Sequence, residues 1–142
     1  MLTELQVGSY IFMDREYAEC DLGGGGPGEG GAIPFETALL VDARVISANA
    51  AGLVTIDAGL KAFATDAGSP VVLAGAGADA RYRFMGDEQG AVIGSDLPGL
   101  GARVTLATPH CDPTVNLYDA YHVVRGEELT AIWPVTARGR SA

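Results

Sequence analysis

Lysine is nearly absent from this 142-residue chain: Lys61 stands alone among nine basic residues, and the rest are arginines. Any chemistry that needs a lysine amine therefore has a single candidate. Cysteine is almost as scarce. Cys20 and Cys111 lie far apart and no C-x-x-C occurs, which excludes a zinc ribbon or a thioredoxin-type motif. A single disulfide between them stays open, with reduced thiols the simpler reading. No run comes near the ~20 apolar residues that a membrane helix requires. Met1–Gln6 has neither the basic nor the apolar region of a signal peptide. These absences predict a soluble, cytoplasmic protein. Positive charge is also short. Nine basic against eighteen acidic residues give a net charge of −9, which offers no cationic footprint for nucleic acid or an anionic membrane. The acidic residues form no block and read as a solvated surface.

What is present is globular: 48% hydrophobic and 19% charged residues, in a length that suits one domain. A domain of this size buries about 68–70% of the surface its unfolded chain exposes. Most segments are short, β-branched and bounded by Gly or Pro, which is the mark of strands. The pattern predicts strands at Leu5–Met13, Thr37–Ser47, Leu53–Asp57, Pro70–Ala74, Ala80–Met85, Ala91–Ile93, Ala102–Ala107, Ala120–Arg125 and Leu129–Val135. Leu39-Leu40-Val41 and Val71-Val72-Leu73 are continuous apolar runs and predict strands covered on both faces. Ala58–Ala67 is the one fair helical stretch. Many short strands with turns between them predict a mainly β fold, a β-barrel or sandwich with short helices. No internal repeat or domain boundary is visible.

Two glycine-rich stretches invite a nucleotide reading. Leu22–Gly31 lacks the Gly-Lys-Ser/Thr ending of a phosphate loop and reads as a hairpin connection. Gly75-Ala76-Gly77-Ala78-Asp79-Ala80 follows an apolar strand, but strand-like residues come next instead of the helix whose N-terminus would hold a pyrophosphate. It reads as a turn.

The run Pro109-His110-Cys111-Asp112-Pro113-Thr114-Val115-Asn116 carries more chemistry. In an extended backbone residues i and i+2 share a face, so His110 and Asp112 would converge while Cys111 points away. Imidazole and carboxylate make a two-point grip on a divalent metal. An H-x-D triplet also arises by chance, and an Asp-Pro step is often only a turn.

Five ordered stretches then share one likeness. They are Gln6–Asp14 (QVGSYIFMD), Thr55–Ala62 (TIDAGLKA), Gly86–Gly90 (GDEQG), Pro109–Asp119 (PHCDPTVNLYD) and Trp133–Arg140 (WPVTARGR). Together they resemble the C-terminal domain of the D-threonine aldolase and D-serine dehydratase family, pyridoxal phosphate-dependent enzymes with the alanine-racemase type of fold. The resemblance runs from about Glu4 to the end of the chain.

The resemblance implies a division of labour. In that family an N-terminal (β/α)8 barrel carries the pyridoxal phosphate and its Schiff-base lysine. Residues 1–142 would then be the β-rich domain alone, with Lys61 a surface or interface cation. A free-standing product, one half of a split enzyme and a fragment all stay open. By resemblance His110 and Asp112 match the family's metal-ligand pair. Dehydratase-like members have cysteine at the second position, whereas Asp112 follows the aldolase-like members and suits Mn²⁺, Mg²⁺ or Zn²⁺. Sulfur ligation through Cys111 is the weaker alternative.

The implied substrate is a D-3-hydroxy amino acid. A metal would orient its β-hydroxyl for retro-aldol cleavage or for loss of hydroxide. The implied partner is the barrel domain, and a homodimer stays open. Tyr10 and Asp87 are the catalytic candidates, with Glu88 as a further ligand-orienting carboxylate. Gln89 stands where relatives often have histidine and does not titrate. Asn116 and Tyr118 are expected to buttress the metal loop. His122 reads as a strand histidine, and Arg138 and Arg140 as groups that close the tail or meet the barrel. The competing reading is a non-catalytic module that docks or dimerises. An independent metal hydrolase would need a third ligand or a general base, for which the sequence offers no convincing candidate.

Overall fold

The computed structural model describes residues 3–4, 8–20 and 35–140. Six strands form one antiparallel sheet: β1 (Leu40–Ala50), β2 (Leu53–Ile56), β3 (Val71–Ala74), β4 (Arg81–Phe84), β5 (Gly90–Ile93) and β6 (Arg103–Ala107). Their spatial order is β3-β6-β1-β2-β5-β4. The two edges, β3 and β4, approach each other, so the sheet curls into a nearly closed barrel.

The long first strand permits that curl. β1 pairs with β6 through Leu40–Arg44 and with β2 from Val45 to Ala50. Register shifts after Val45 and Ser47 increase its twist between the two partners. Alternation then fills the interior. Ala43 and Val45, Val54 and Ile56, and Val104 and Leu106 all point inward and are buried. Phe63, Tyr82 and Phe84 close one side as an edge-to-face cluster with centroids 5.0–6.5 Å apart. The Tyr82 hydroxyl donates to Ala58 O at 2.8 Å, so the ring is buried without an orphaned polar group.

Outside the barrel lie a 3-10 turn (Ser9–Ile11), two short helices, α1 (Arg15–Ala18) and α2 (Cys111–Val115), and a hairpin of β7 (Ala120–Arg125) and β8 (Glu128–Pro134). The mainly β barrel agrees with the sequence expectation. Three local expectations fail. Within the described part of Leu5–Met13 there is a 3-10 turn, not a strand: Phe12 N and Met13 N both donate to Ser9 O. Ala58–Ala67 is not a helix, because Leu60 N and Lys61 N donate to Gly86 O and Asp87 O in a distant loop. The apolar runs are not covered on both faces, since Leu40, Val71 and Leu73 are exposed.

Gly75 begins the β3–β4 turn at φ +87°, and a Cβ there would lie 2.2 Å from Arg103 O. The glycine thus serves a tight turn, as expected, and no helix follows. Leu22–Gly31 lies outside the described residues. Among the described residues no helix is long and apolar enough to cross a membrane.

Candidate metal centre

His110 and Asp112 come together, although not by the extended geometry that the spacing suggests. His110 is extended (φ −145°, ψ 125°), but Cys111 opens α2, and Asp112 lies in its first turn. Pro113 fits there because the first turn of a helix has no intrahelical partners for its N–H groups. The side chains still converge: His110 Nε2 lies 3.5 Å from Asp112 Oδ2. Cys111 points inward and is fully buried, as expected of the residue between them.

The other face of the imidazole is already engaged. His110 Nδ1 lies 2.6 Å from Asp66 Oδ2. An ionised carboxylate only accepts, so Nδ1 carries the proton and donates. This raises the His110 pKa above its ordinary value, chiefly through the Asp66 hydrogen bond, and lowers that of Asp66 for the same reason. In the neutral ring, Nε2 then presents its lone pair to Asp112. Ser9 Oγ donates to the same carboxylate oxygen, Asp112 Oδ2, at 2.9 Å.

This donor set fits a divalent ion. Two donors 3.5 Å apart match two adjacent corners around an ion with bonds of about 2.1 Å at a near-tetrahedral angle. A carboxylate holding the far nitrogen of a ligating imidazole is the usual supporting arrangement. Among the described residues no group of three or more His, Cys, Asp or Glu side chains is arranged to hold an ion. The grip therefore has two points. Cys111 does not enlarge it, because burial pushes its thiol up to about 12 and keeps it protonated.

A labelling experiment checks that burial. Both cysteines are free, Cys20 exposed and Cys111 buried. A maleimide should modify Cys20 in the native protein and Cys111 only after unfolding. Rapid native labelling of both thiols would contradict the buried position.

The loop is held from beneath. Thr108 Oγ1 donates to His110 O at 3.1 Å, and the Thr108 and Thr114 hydroxyls lie 2.6 Å apart in the interior. Thr114 Oγ1 also accepts from Ala64 N at 3.1 Å, which ties α2 to the segment leading into Asp66.

The remaining expected residues are dispersed. Tyr10 follows Ser9 in the 3-10 turn and packs edge-on against Phe35 at 5.1 Å. Asp87 lines a shallow depression with Asp57, Gly59, Lys61, Glu88 and Tyr118, and neither His110 nor Asp112 borders it. Glu88 is spent on an ion pair with Lys61. Tyr118 donates to Ala62 O at 2.9 Å, and Asn116 accepts from Gly139 N at 3.0 Å, so Asn116 fastens the tail. Arg138 closes that tail by pairing with Asp119 at 2.7 Å. His122 is exposed on β7.

Three contributors escaped the sequence reading. Asp66 sits in a Thr-Asp-Ala-Gly turn with no visible link to His110. Ser9 and Asp14 lie inside a quoted motif but carry no chemical signature of their own. Tyr121 is a fourth neighbour: its ring stacks on Phe12 at 5.7 Å, and its pKa is raised by burial first and by Cys111 and Asp112 next.

Residues 38–124 match the family model described as "Putative serine dehydratase domain". The chain is 40% identical to a D-threonine aldolase of Arthrobacter sp over 98% of its length. It is 38% identical to a 3-hydroxy-D-aspartate aldolase of Paracoccus denitrificans (strain Pd 1222) over 96% of its length. In both cases it spans only 35% of the relative, about a third. The crystal structure of D-threonine aldolase from Filomicrobium marinum superposes with a TM-score of 0.81 at 37% identity, over 95% of this chain and 36% of that one. A mutant D-threo-3-hydroxyaspartate dehydratase, at 20% identity, a TM-score of 0.61 and coverage of 69% of this chain and 31% of that one, shares the fold alone. On the family match and on relatives 38–40% identical, this chain belongs to the D-threonine aldolase and D-serine dehydratase family, of which it carries the β-rich domain.

Proposed function

We propose that this chain is the metal-holding domain of a pyridoxal phosphate-dependent lyase acting on D-3-hydroxy amino acids, of the D-threonine aldolase type. The observation that supports it most is the wiring of His110: Asp66 takes Nδ1 and leaves Nε2 facing Asp112 Oδ2 at 3.5 Å. The relatives of 38–40% identity are named as aldolases, which favours cleavage over dehydration.

Within this reading His110 and Asp112 hold Mn²⁺, Mg²⁺ or Zn²⁺, which when bound acts as Lewis acid and template for the substrate hydroxyl. Pyridoxal phosphate, the electron sink, belongs to a barrel domain outside this chain. Asp66 keeps the proton on Nδ1, and Ser9 keeps Asp112 turned toward the imidazole. Two protein donors do not fill the coordination shell of these ions, so water and a substrate hydroxyl have room to bind.

Val124, Ile132 and Trp133 on the β7–β8 hairpin are 58–60% exposed, which suits a chain that works docked to another domain. The same exposed residues favour the second reading, a docking or dimerisation module without catalysis. One experiment separates them. The chain is mixed with the barrel domain of a D-threonine aldolase and assayed for D-threonine cleavage. Cleavage that requires both parts and a divalent ion, and that fails with Asp112→Ala, supports the lyase. Association without turnover supports the module.

Lys61 gives a further expectation. Its amine is exposed, and the hydrogen bond and charge of Glu88 raise its pKa, so little free base is available. With equimolar pyridoxal phosphate, borohydride should leave Lys61 unmodified by mass spectrometry. Stoichiometric labelling would place the cofactor's amine in this domain and overturn the assignment to the barrel.

A further inference from the structure

The 3-10 turn, the α1 start and the metal loop meet at Asp14, a fully buried carboxylate with no place in the chemistry described above. Its two oxygens serve two helices. Oδ1 accepts from Tyr17 N at 3.0 Å and caps α1, while Oδ2 accepts from Cys111 N at 2.8 Å. Cys111 is the residue between His110 and Asp112. His110 occupies the N-cap position of α2, yet its own side chain makes no capping hydrogen bond.

The backbone around Asp14 is built to deliver it. Met13 is buried with φ +51°, the left-handed region, and it is the one non-glycine residue there among the described residues. A side chain held at positive φ stores strain and persists only when its surroundings enforce it. Met13 N donates to Ser9 O, Arg15 N to Thr108 O, and Ser9 Oγ to Asp112. The turn thus grips the metal loop at three places, on Thr108, Cys111 and Asp112.

We propose that Asp14 is the positioning residue of this centre: its Oδ2 holds the Cys111 N–H and so fixes the backbone between His110 and Asp112, which sets where the two side chains meet. This inference rests on the metal reading above for its purpose, but the geometry it describes exists without an ion.

The test uses Asp14→Ser, read in two ways. Serine caps α1 as well as aspartate does, but its single oxygen cannot serve Tyr17 N and Cys111 N together. The first readout needs no metal: the chain has two histidines, His110 and His122, and their ring signals are followed by NMR. The His110 signals should shift while those of His122 stay in place. The second readout is Mn²⁺ affinity by calorimetry, which should fall roughly 10–100-fold, as for other residues that orient ligands.

Tyr82→Phe, which removes a buried hydrogen bond to Ala58, is the destabilised control and should keep wild-type affinity and His110 signals. Folded Asp14→Ser with unmoved His110 signals overturns the proposal, as does an equal affinity loss in Tyr82→Phe. If wild type binds no Mn²⁺ while the His110 signals still shift, the metal reading fails and the positioning role stands. Should Asp14→Ser not fold, Asp14→Asn is read in the same way, because its amide nitrogen cannot accept from either N–H.

Discussion

Asp112→Ala should eliminate divalent-ion binding in calorimetry, where the unaltered chain is expected to take up a single equivalent of Mn²⁺ or Zn²⁺. The size of the effect follows from the donor count. Among the described residues the grip has two points, so truncating Asp112 removes half of the protein donors and the carboxylate charge that favours the cation. No neighbouring donor replaces it. Cys111 is buried and protonated, Ser9 Oγ would lose its acceptor, and Asp66 is committed to His110 Nδ1. His110→Ala should have the same outcome. Asp66→Asn is milder, a loss of roughly 10–100-fold, because it loosens the imidazole without removing a donor. Each variant should keep the wild-type fold, since His110, Asp66 and Asp112 all lie outside the barrel interior. Binding unchanged in Asp112→Ala refutes the centre.

The barrel was legible in the sequence because its strands obey a local rule. Leu53-Val54-Thr55-Ile56 and Arg81-Tyr82-Arg83-Phe84 alternate between the interior and the outside, and that alternation can be read without knowing the partner strand. Ala120–Arg125 coincides with β7 at both ends. What could not be read is what depends on distant backbone. Ala58–Ala67 has helical composition, yet its amides bond to Gly86 O and Asp87 O, and Gly59 sits so close to that loop that a Cβ would lie 2.4 Å from Gly86 O. Tertiary contacts override a weak helical preference there.

The candidate pair illustrates both limits. The sequence singles out His110 and Asp112, but their side chains converge with Asp112 in the first turn of α2 and not along an extended backbone. Asp66, 44 residues before His110, and Asp14, 97 residues before Cys111, carry no signal in a single sequence. Only the fold brings them to the loop.

The sharpest prediction about the fold itself concerns Gly90, the first residue of β5. It lies opposite Ile56 on β2 and Phe84 on the edge strand β4. A Cβ there would lie 2.3 Å from Tyr82 Cε2 and 2.5 Å from Ala58 O. Neither neighbour can yield cheaply. The Tyr82 ring is wedged between Phe63 and Phe84, and its hydroxyl is bonded to the same Ala58 carbonyl. Relief would require moving backbone in a close-packed interior, which behaves more like a crystal than an oil. Gly90→Ala should therefore destabilise by about 3 kcal/mol or more. For a domain of this size that corresponds to a fall in Tm of roughly 10 °C. Gly99→Ala is the matched control, since a Cβ there meets nothing within 4 Å, and its Tm should stay close to wild type. A Gly90→Ala protein with wild-type Tm would show that the packing around Tyr82 is looser than these distances allow.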